Sequence, residues 1–474
     1  MKRLIALLIV VAGCFAPGLR AQTLTLDQAI MIARDSATAA HLAASSLRQS
    51  EWEHEQFLAQ RRPQIFFGMD VGYQKMSFEP STHFYKLRNY NMFNSFAELR
   101  LEQKALAAGG EFYATTGTLW TRYFNQDDPL RMFSTIPLGV GYCNDLISYN
   151  PYKWEKALND LKYKTDQKEY LHTLGRISLE TARLYLTCYV SMAKYDICVN
   201  NASVAAELLE IGREKFNMAS LSKNELSALE LQSLNAENSL FNARQQMEDA
   251  RERLLSYLKI DAYSQEIQLE APPVPEYKII PADEALLLAK DNDPDYLRIR
   301  EQIISARQQA GKAEAQGRLL QTGVDINLGF QGTTAAIGNV YAGQQPFLAG
   351  SVTLRIPIYD GGLARSRKKV AQYRIEYSEN AEREAARQLE LDVVLTLREF
   401  NVQQDLVVRT RRALALADES FDLAQDLYRQ GETDINTFIL AQNRKDEAHT
   451  NYLNSLTGFW VSYYTLCLIC NKEF

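Results

Sequence analysis

Residues 224–258 read NELSALELQSLNAENSLFNARQQMEDARERLLSYL, and the spacing of small and apolar side chains there decides the fold. Leu226, Leu229, Ser233, Ala236, Leu240, Ala243, Met247, Ala250, Leu254 and Tyr257 follow one another in steps of three and four. A mean repeat of about 3.5 belongs to a supercoiled helix, which needs helical partners along its whole length. Ala and Ser on the seam let those partners approach closely or join in a wall of several helices. The same phase returns in Phe438, Ala441, Lys445, Ala448, Tyr452, Ser455 and Phe459, and in Leu414, Ala417, Phe421, Ala424 and Tyr428.

Working outward, each of these stretches borders a break preceded by a longer helical pattern. The breaks are Phe216-Asn217-Met218-Ala219-Ser220-Leu221-Ser222 and Tyr428-Arg429-Gln430-Gly431-Glu432-Thr433-Asp434. Gly431 suits a left-handed turn that ends the descending helix, where the first break has Ala219. Asp434 and Ser222 are placed to accept hydrogen bonds from the first amides of the returning helices. The descending helices are expected over about 152–216 and 363–430, each roughly 100 Å long at about 1.5 Å per residue. Such lengths describe a tube or a rod rather than a compact domain.

The two tracts share one layout at an offset of 212 residues, Phe216 standing against Tyr428. Asn150-Pro151-Tyr152-Lys153-Trp154 and Gly362-Leu363-Ala364-Arg365-Ser366 open the long helices, and Leu26-Asp27-Gln28-Ala29-Ile30 and Ala282-Asp283-Glu284-Ala285-Leu286 open earlier ones. The expected division is a leader at 1–21, a first repeat at 22–258, a Pro-rich linker at 259–281 and a second repeat at 282–474. Pro272, Pro273, Pro275 and Pro281 punctuate the linker. The first helix is expected to run from about Leu26 to Arg62.

Strand patterns lie between the helices. Ile65, Phe67, Met69, Val71 and Tyr73 alternate with Phe66, Gly68, Asp70, Gly72 and Gln74. Val324, Ile326, Leu328 and Phe330 do so later, with a return through Val352, Leu354, Ile356 and Ile358. Apolar residues alternating with polar or small ones suit a transmembrane barrel strand, and equally any half-buried sheet. The first half carries some fifty extra residues between Pro80 and Ile136, with alternation at Ala97, Leu99 and Leu101, a turn at Ala108-Gly109-Gly110 and a run from Phe112 to Trp120. They are expected to form an inserted hairpin.

At the N-terminus Lys2 and Arg3 precede an apolar run from Leu4 to Ala12, then Pro17-Gly18 and Leu19-Arg20-Ala21. This is the layout of a secretory signal peptide cleaved after Ala21. Val11-Ala12-Gly13-Cys14 competes with it as an acylation site on Cys14. Nowhere else does an apolar run reach the ~18 residues of a membrane helix, so a membrane location requires a closed β-barrel.

Of the 474 residues, 46% are hydrophobic and 23% charged, which argues against disorder. The net charge of −6 leaves no basic footprint for nucleic acid. No nucleophile elbow, phosphate loop or His-Glu-x-x-His occurs, and His41, His54, His83, His172 and His449 are scattered. Residues on either side of His54 in Glu53-His54-Glu55 point in different directions on a helix. Cys467-x-x-Cys470 has the spacing of a redox pair or half a zinc site, but zinc needs two further ligands and the sequence offers none at comparable spacing. No enzyme, metal or cofactor is expected.

The order of helix, strand, loop, strand, very long helix, tip and returning helix, given twice between Leu24 and Asn471, resembles the TolC-type outer-membrane efflux proteins. Its most specific local match is Leu427-Tyr428-Arg429-Gln430-Gly431-Glu432-Thr433, followed by Phe438-Ile439-Leu440-Ala441-Gln442. Ile356-Pro357-Ile358-Tyr359-Asp360-Gly361-Gly362 and Ile136-Pro137-Leu138 resemble the family's barrel-to-helix junctions. The resemblance implies an α+β membrane protein with two internal repeats per chain: a homotrimeric transmembrane β-barrel continued by a coiled-coil barrel in the periplasm. It implies a passive outer-membrane exit duct for tripartite efflux or type I secretion, with a periplasmic adaptor, an inner-membrane RND or ABC transporter and outer-membrane lipid as partners. Phe216, Ala219, Ser222, Tyr428, Gly431 and Asp434 are then the adaptor-contacting tips. Glu225, Asp434 and Thr437 are candidates for a pore constriction. The alternative is a periplasmic coiled-coil adaptor or scaffold, which normally carries one hairpin between compact β-domains.

Overall fold

The structure, a computed structural model, describes residues 22–76, 90–124, 131–218, 220–260, 267–274, 276–430 and 432–473. Cys14, Ala21, His83, Ala219, Pro275 and Gly431 lie outside them. In chain order the elements are β1 (Gln22–Leu24), α1 (Leu26–Ser36), α2 (Thr38–Ala59), β2 (Gln64–Met76), β3 (Tyr90–Lys104), β4 (Glu111–Tyr123), β5 (Arg131–Asn144), α3 (Pro151–Asn217) and α4 (Lys223–Leu258). There follow β6 (Ile267–Leu269), α5 (Ala282–Asn292), α6 (Pro294–Gln316), β7 (Gln321–Thr334), β8 (Gln345–Arg355), α7 (Leu363–Gln430) and α8 (Ile435–Cys470). The chain divides into two compact units, one drawn from Met1–Ser46, Lys168–Asp293 and Arg387–Phe474, the other from Leu47–Gln167 and Pro294–Ala386.

The 3.5-residue repeat marks the helices correctly. α3 and α7 run for 67 and 68 residues, and α4 and α8 for 36 each. On α4 the seam residues Leu229, Ser233, Ala236, Ala243, Ala250 and Leu254 are all buried. The expected single helix from Leu26 to Arg62 is instead two, because Ala37 is extended at φ −64°, ψ 133°. A matching break falls at Asp293, which precedes Pro294, whose ring disfavours helical geometry in the residue before it.

The first unit holds a core of α1, α3, α4 and α8 side chains, including Ala29, Ala33, Leu186, Leu254, Leu258 and Tyr464. The stretch expected as a linker contributes an element to it. β6 pairs in parallel with β1, Leu24 opposite Leu269. Tyr185 of α3 is fully buried, and its hydroxyl lies 2.7 Å from the carbonyl oxygens of both Leu24 and Glu270. Thr25 then caps α1 in a reciprocal box with Gln28.

In the second unit the sheet has the order β2-β3-β4-β5-β7-β8, antiparallel at every pairing. The expected inserted hairpin is β3–β4, and it lies inside the sheet between β2 and β5. Ile136-Pro137-Leu138 is not a barrel-to-helix junction. It sits within β5, which continues to Asn144, at a register shift between Thr135 and Leu138. Proline has no amide for a ladder, so an inner strand accepts it at such a bulge. The second junction is where it was expected. β8 stops at Arg355, short of Ile356 and Ile358, and Asp360 accepts from the amides of Gly362 and Ala364 at 2.9 Å to start α7. Gly361 and Gly362 take positive φ there.

Helices of this unit meet through polar contacts. Ser50 donates to Asp166, Lys162 pairs with Glu53, and Thr165 donates to Glu301. His54 stacks on Tyr163 with ring centroids 4.6 Å apart and bonds Asn159, so it joins α2 to α3.

Tyr185→Phe keeps the ring and removes the buried hydroxyl, whose one proton is donated to the carbonyl of either Leu24 or Glu270. A loss of about 1–3 kcal/mol is expected. It should appear as faster amide exchange across β1 and β6 in the purified protein, and unchanged protection there would refute the role given to Tyr185.

Candidate functional site

Two parts of the chain hold the expected site residues and the strand patterns: the helix tips and the two faces of the sheet.

At the first tip Ser222 is the N-cap of α4, with its hydroxyl accepting from the Glu225 amide at 3.2 Å. Glu225 reaches back to the Ser222 amide at 2.8 Å and accepts from its hydroxyl at 2.7 Å, completing a capping box. At the second tip Asp434 caps α8 and accepts from the Thr437 amide at 2.7 Å. The descending helices end alike: the Ser220 amide donates to the Lys215 carbonyl and the Glu432 amide to that of Leu427, both at 2.9 Å.

Both hairpins share one apolar cluster of Leu208, Leu229, Phe421, Ala424, Ile435, Phe438 and Ala441. Phe438 lies 5.5 Å from Phe421 and from Tyr428, and Lys215 stands over the Tyr428 ring at 5.6 Å. Gly212 makes room for the fit, since a Cβ there would lie 2.3 Å from Leu229. Beside the cluster is a cavity of 150 Å³ lined by residues that include Leu208, Ile211, Lys215, Tyr428 and Phe438.

The expected tip residues therefore divide. Tyr428 packs inward, Phe216 and Met218 face solvent, and Ser222 and Asp434 are caps. Of the constriction candidates, Asp434 and Thr437 are joined by the cap of α8, and Glu225 belongs to that of α4. Hydrogen bonds from Ser222 hold the Glu225 carboxyl below the ordinary carboxylate range, and the Thr437 amide does the same for Asp434.

On the sheet, Ile65, Phe67, Met69, Val71 and Tyr73 oppose Leu101, Leu99, Ala97, Ser95 and Phe93. The same face continues through Phe112, Ala114 and Trp120, then Tyr142, Val140 and Leu138, then Ile326, Leu328 and Phe330, and ends on Leu348, Val352 and Leu354. Much of it is bare, Phe67 being 70% exposed and Leu348 76%. Tyr73, Phe93, Trp120 and Phe133 form an aromatic row near one end, with Trp120 centroids 5.5 Å from Phe93 and 6.4 Å from Phe133. Phe112 and Tyr142, 5.0 Å apart, mark the other end.

The opposite face carries Asp70, Glu98, Arg100, Glu102, Glu111, Asp325 and Arg355, with Phe66 an exception. Arg100 bonds Glu102 at 2.7 Å and stacks on Tyr113 at 4.4 Å. Tyr113 in turn lies over Gly141, where a Cβ would come within 2.3 Å of its ring.

Among the described residues no cluster of His, Cys, Asp or Glu is arranged to hold a metal. Cys467 and Cys470 are buried, and Cys470 donates to the Ala285 carbonyl at 3.6 Å. Burial pushes the Cys470 thiol up to about 12, so it stays protonated and unreactive. No described helix is long and apolar enough to cross a membrane. The signals that the sequence reading missed are Tyr185, too far in sequence from its partners to be seen, and the Ser222–Glu225 box, which does follow the Ser-x-x-Glu pattern.

No protein-family model and no curated protein matches the chain. Solved structures do match it. The outer membrane protein VceC of Vibrio cholerae aligns with a TM-score of 0.64 at 12% identity, covering 95% of this chain and 96% of its own. The CmeC outer membrane channel of Campylobacter jejuni gives 0.64 at 14%, covering 95% and 86%. CusC, described for its transmembrane channel formation, gives 0.63 at 11%, covering 98% and 96%. At these identities what is shared is the fold, and the chain has the fold of the TolC-type outer-membrane channels.

The caps make the tips sensitive to acid. Their carboxylates have depressed values in the folded state, so the stabilisation is complete above the unfolded carboxylate value and is lost as pH falls through the depressed one. After correction for intrinsic rates, amide exchange at Glu225 and Thr437 should accelerate over that interval. Asp434→Asn keeps an acceptor without an ionisable group and should remove the acid step at Thr437. A wild-type Thr437 amide with no acid step would overturn this.

Proposed function

We propose that the chain is an outer-membrane exit duct of a tripartite efflux or type I secretion system, acting as a homotrimer of two-repeat chains. The carrying observation is the six-stranded sheet, apolar on one face and open at both edges, in a chain whose strands lead into helices of 67 and 68 residues. The antiparallel pairings set β2 and β8 in opposite directions, so β8 of one copy meets β2 of the next antiparallel. Closure through copies satisfies the edge amides and carbonyls that lipid cannot. The strands, 11 to 15 residues long, meet or exceed the ~9–11 needed to cross a bilayer. From Phe112 to Trp120 on β4 is about 27 Å along the strand, or roughly 20 Å across the membrane at the usual tilt. That fits an apolar band between two aromatic girdles.

In this reading the helices form a periplasmic tube. Its tips, with Phe216, Ala219, Ser222, Tyr428, Gly431 and Asp434, meet a periplasmic adaptor that couples the duct to an inner-membrane RND or ABC pump. Glu225, Asp434 and Thr437, each repeated three times, ring its narrow end, where carboxylates fixed by their caps bias ion passage. The channel is passive and has no catalytic step. The compact β-domains of an adaptor, the alternative, have no use for a wide bare apolar sheet.

Fractionation of the producing cell should place the chain in the outer membrane, and native mass spectrometry in detergent should give a trimer. A stable monomer would defeat the proposal. The mature chain is proposed to begin at Gln22, and intact-mass analysis decides this. A start at Cys14 with added acyl mass would replace cleavage after Ala21 by lipid anchoring.

A further inference from the structure

The two halves of the chain supply unequal shares of the sheet, β2 to β5 from the first and β7 and β8 from the second. We infer that β3 and β4 are wall strands that widen the lumen, so that the duct takes bulky polar cargo wider than a single helix. This rests on the exit-duct reading above and names its cargo class.

The hairpin cannot stand outside a closed wall without breaking it. β2 makes all thirteen of its pairings with β3, and β4 pairs with β5 from Glu111 to Arg122, while β2 and β5 do not pair. The turn joining β3 and β4 is also fastened to the start of α3. Asn150 donates to the carbonyls of Leu106 and Ala107 at 2.9 and 3.1 Å, and Asn144 to that of Ala108 at 3.1 Å. A Cβ on Gly110 would lie 2.4 Å from the Cys143 carbonyl oxygen, so the turn fits closely against β5.

Three copies of six strands close as an eighteen-stranded barrel. With strands about 4.8 Å apart and tilted by about 40°, its backbone radius is roughly 18 Å, against roughly 12 Å for three copies of four. Side chains take about 5 Å from each wall. The free width is then about 26 Å rather than about 14 Å, where a single helix with side chains needs about 10–12 Å. The inward face of the hairpin is hydrophilic, with Glu98 accepting from Thr115 at 3.3 Å and Arg100 bonded to Glu102, which suits a wet lumen.

Two measurements test this. Met69→Cys with Ala97→Cys, and separately Ala114→Cys with Val140→Cys, should be bridged by oxidation or a short thiol cross-linker in membrane-embedded protein, as read by peptide mass. Polymer exclusion from the strand side of bilayer channels should give a cut-off radius near ~13 Å, falling to near ~7 Å when β3 and β4 are excised. Absent cross-links in assembled channels, or a wild-type cut-off near the smaller radius, overturns the inference, and the wild-type value decides alone if the excised chain does not assemble. Failure to find trimers or an outer-membrane location would instead defeat the exit-duct reading, while the cross-links still report where the hairpin lies.

Discussion

The constraint on which the rest depends is the open edge of an apolar sheet. Among the described residues β2 and β8 each have a paired side and an unpaired side, and much of the face they share with the inner strands is exposed. In water such edges invite pairing with any passing strand, and in lipid each unmet amide or carbonyl is worse still. Few surroundings satisfy both the face and the edges. In the exit-duct reading proposed above, a bilayer takes the face and further copies of the same sheet take the edges.

The same economy governs the helices. Seams of Ala, Ser and Leu bury a narrow stripe, and much of each helix's remaining apolar surface, such as Leu231, Leu234 and Phe241 of α4, stays exposed. At the tips the exposed termini are held by side chains of their own sequence, Ser222 with Glu225 and Asp434 alone, while Phe438 locks the two hairpins into one apolar cluster. These caps satisfy the first amides of the returning helices from within the chain's own sequence.

What could be read in the sequence follows physical range. The 3.5 period repeats over many residues and reports a helix whatever it touches, so α3, α4, α7 and α8 were legible, as were the caps at Ser222 and Asp434. Alternation gave the two faces of β2 and β7 for the same reason. The place of the hairpin within the sheet was not legible, because the order of strands depends on which neighbour completes each ladder. β1 and β6 are three residues each and pair across more than two hundred others, too short to show any period. Ala37 breaks a helix with no proline to announce it. Ile136-Pro137-Leu138 misled because a proline after strand residues ordinarily marks an end, whereas here a bulge absorbs it.

That bulge also explains how a sheet of this width can curve. Its register shifts fall on the two sides of β5, between Thr115 and Gly117 against β4 and between Thr135 and Leu138 against β7. A bulge bends its strand and increases the local twist. Glycines gather at the same place: a Cβ on Gly329 would lie 2.2 Å from the Leu138 carbonyl oxygen, one on Gly117 2.9 Å from that of Ala97, and Gly139 and Gly141 face Thr115 and the Tyr113 ring. These glycines lie on the polar face, where a side chain would crowd the neighbouring strand, and Tyr113 fills the space over Gly141. The bulge and the glycines thus meet at β5, the strand that joins the hairpin to the part of the sheet built by the second half. In the exit-duct reading, bending there would turn the polar face inward and the apolar face outward, as a water-filled wall in a membrane requires.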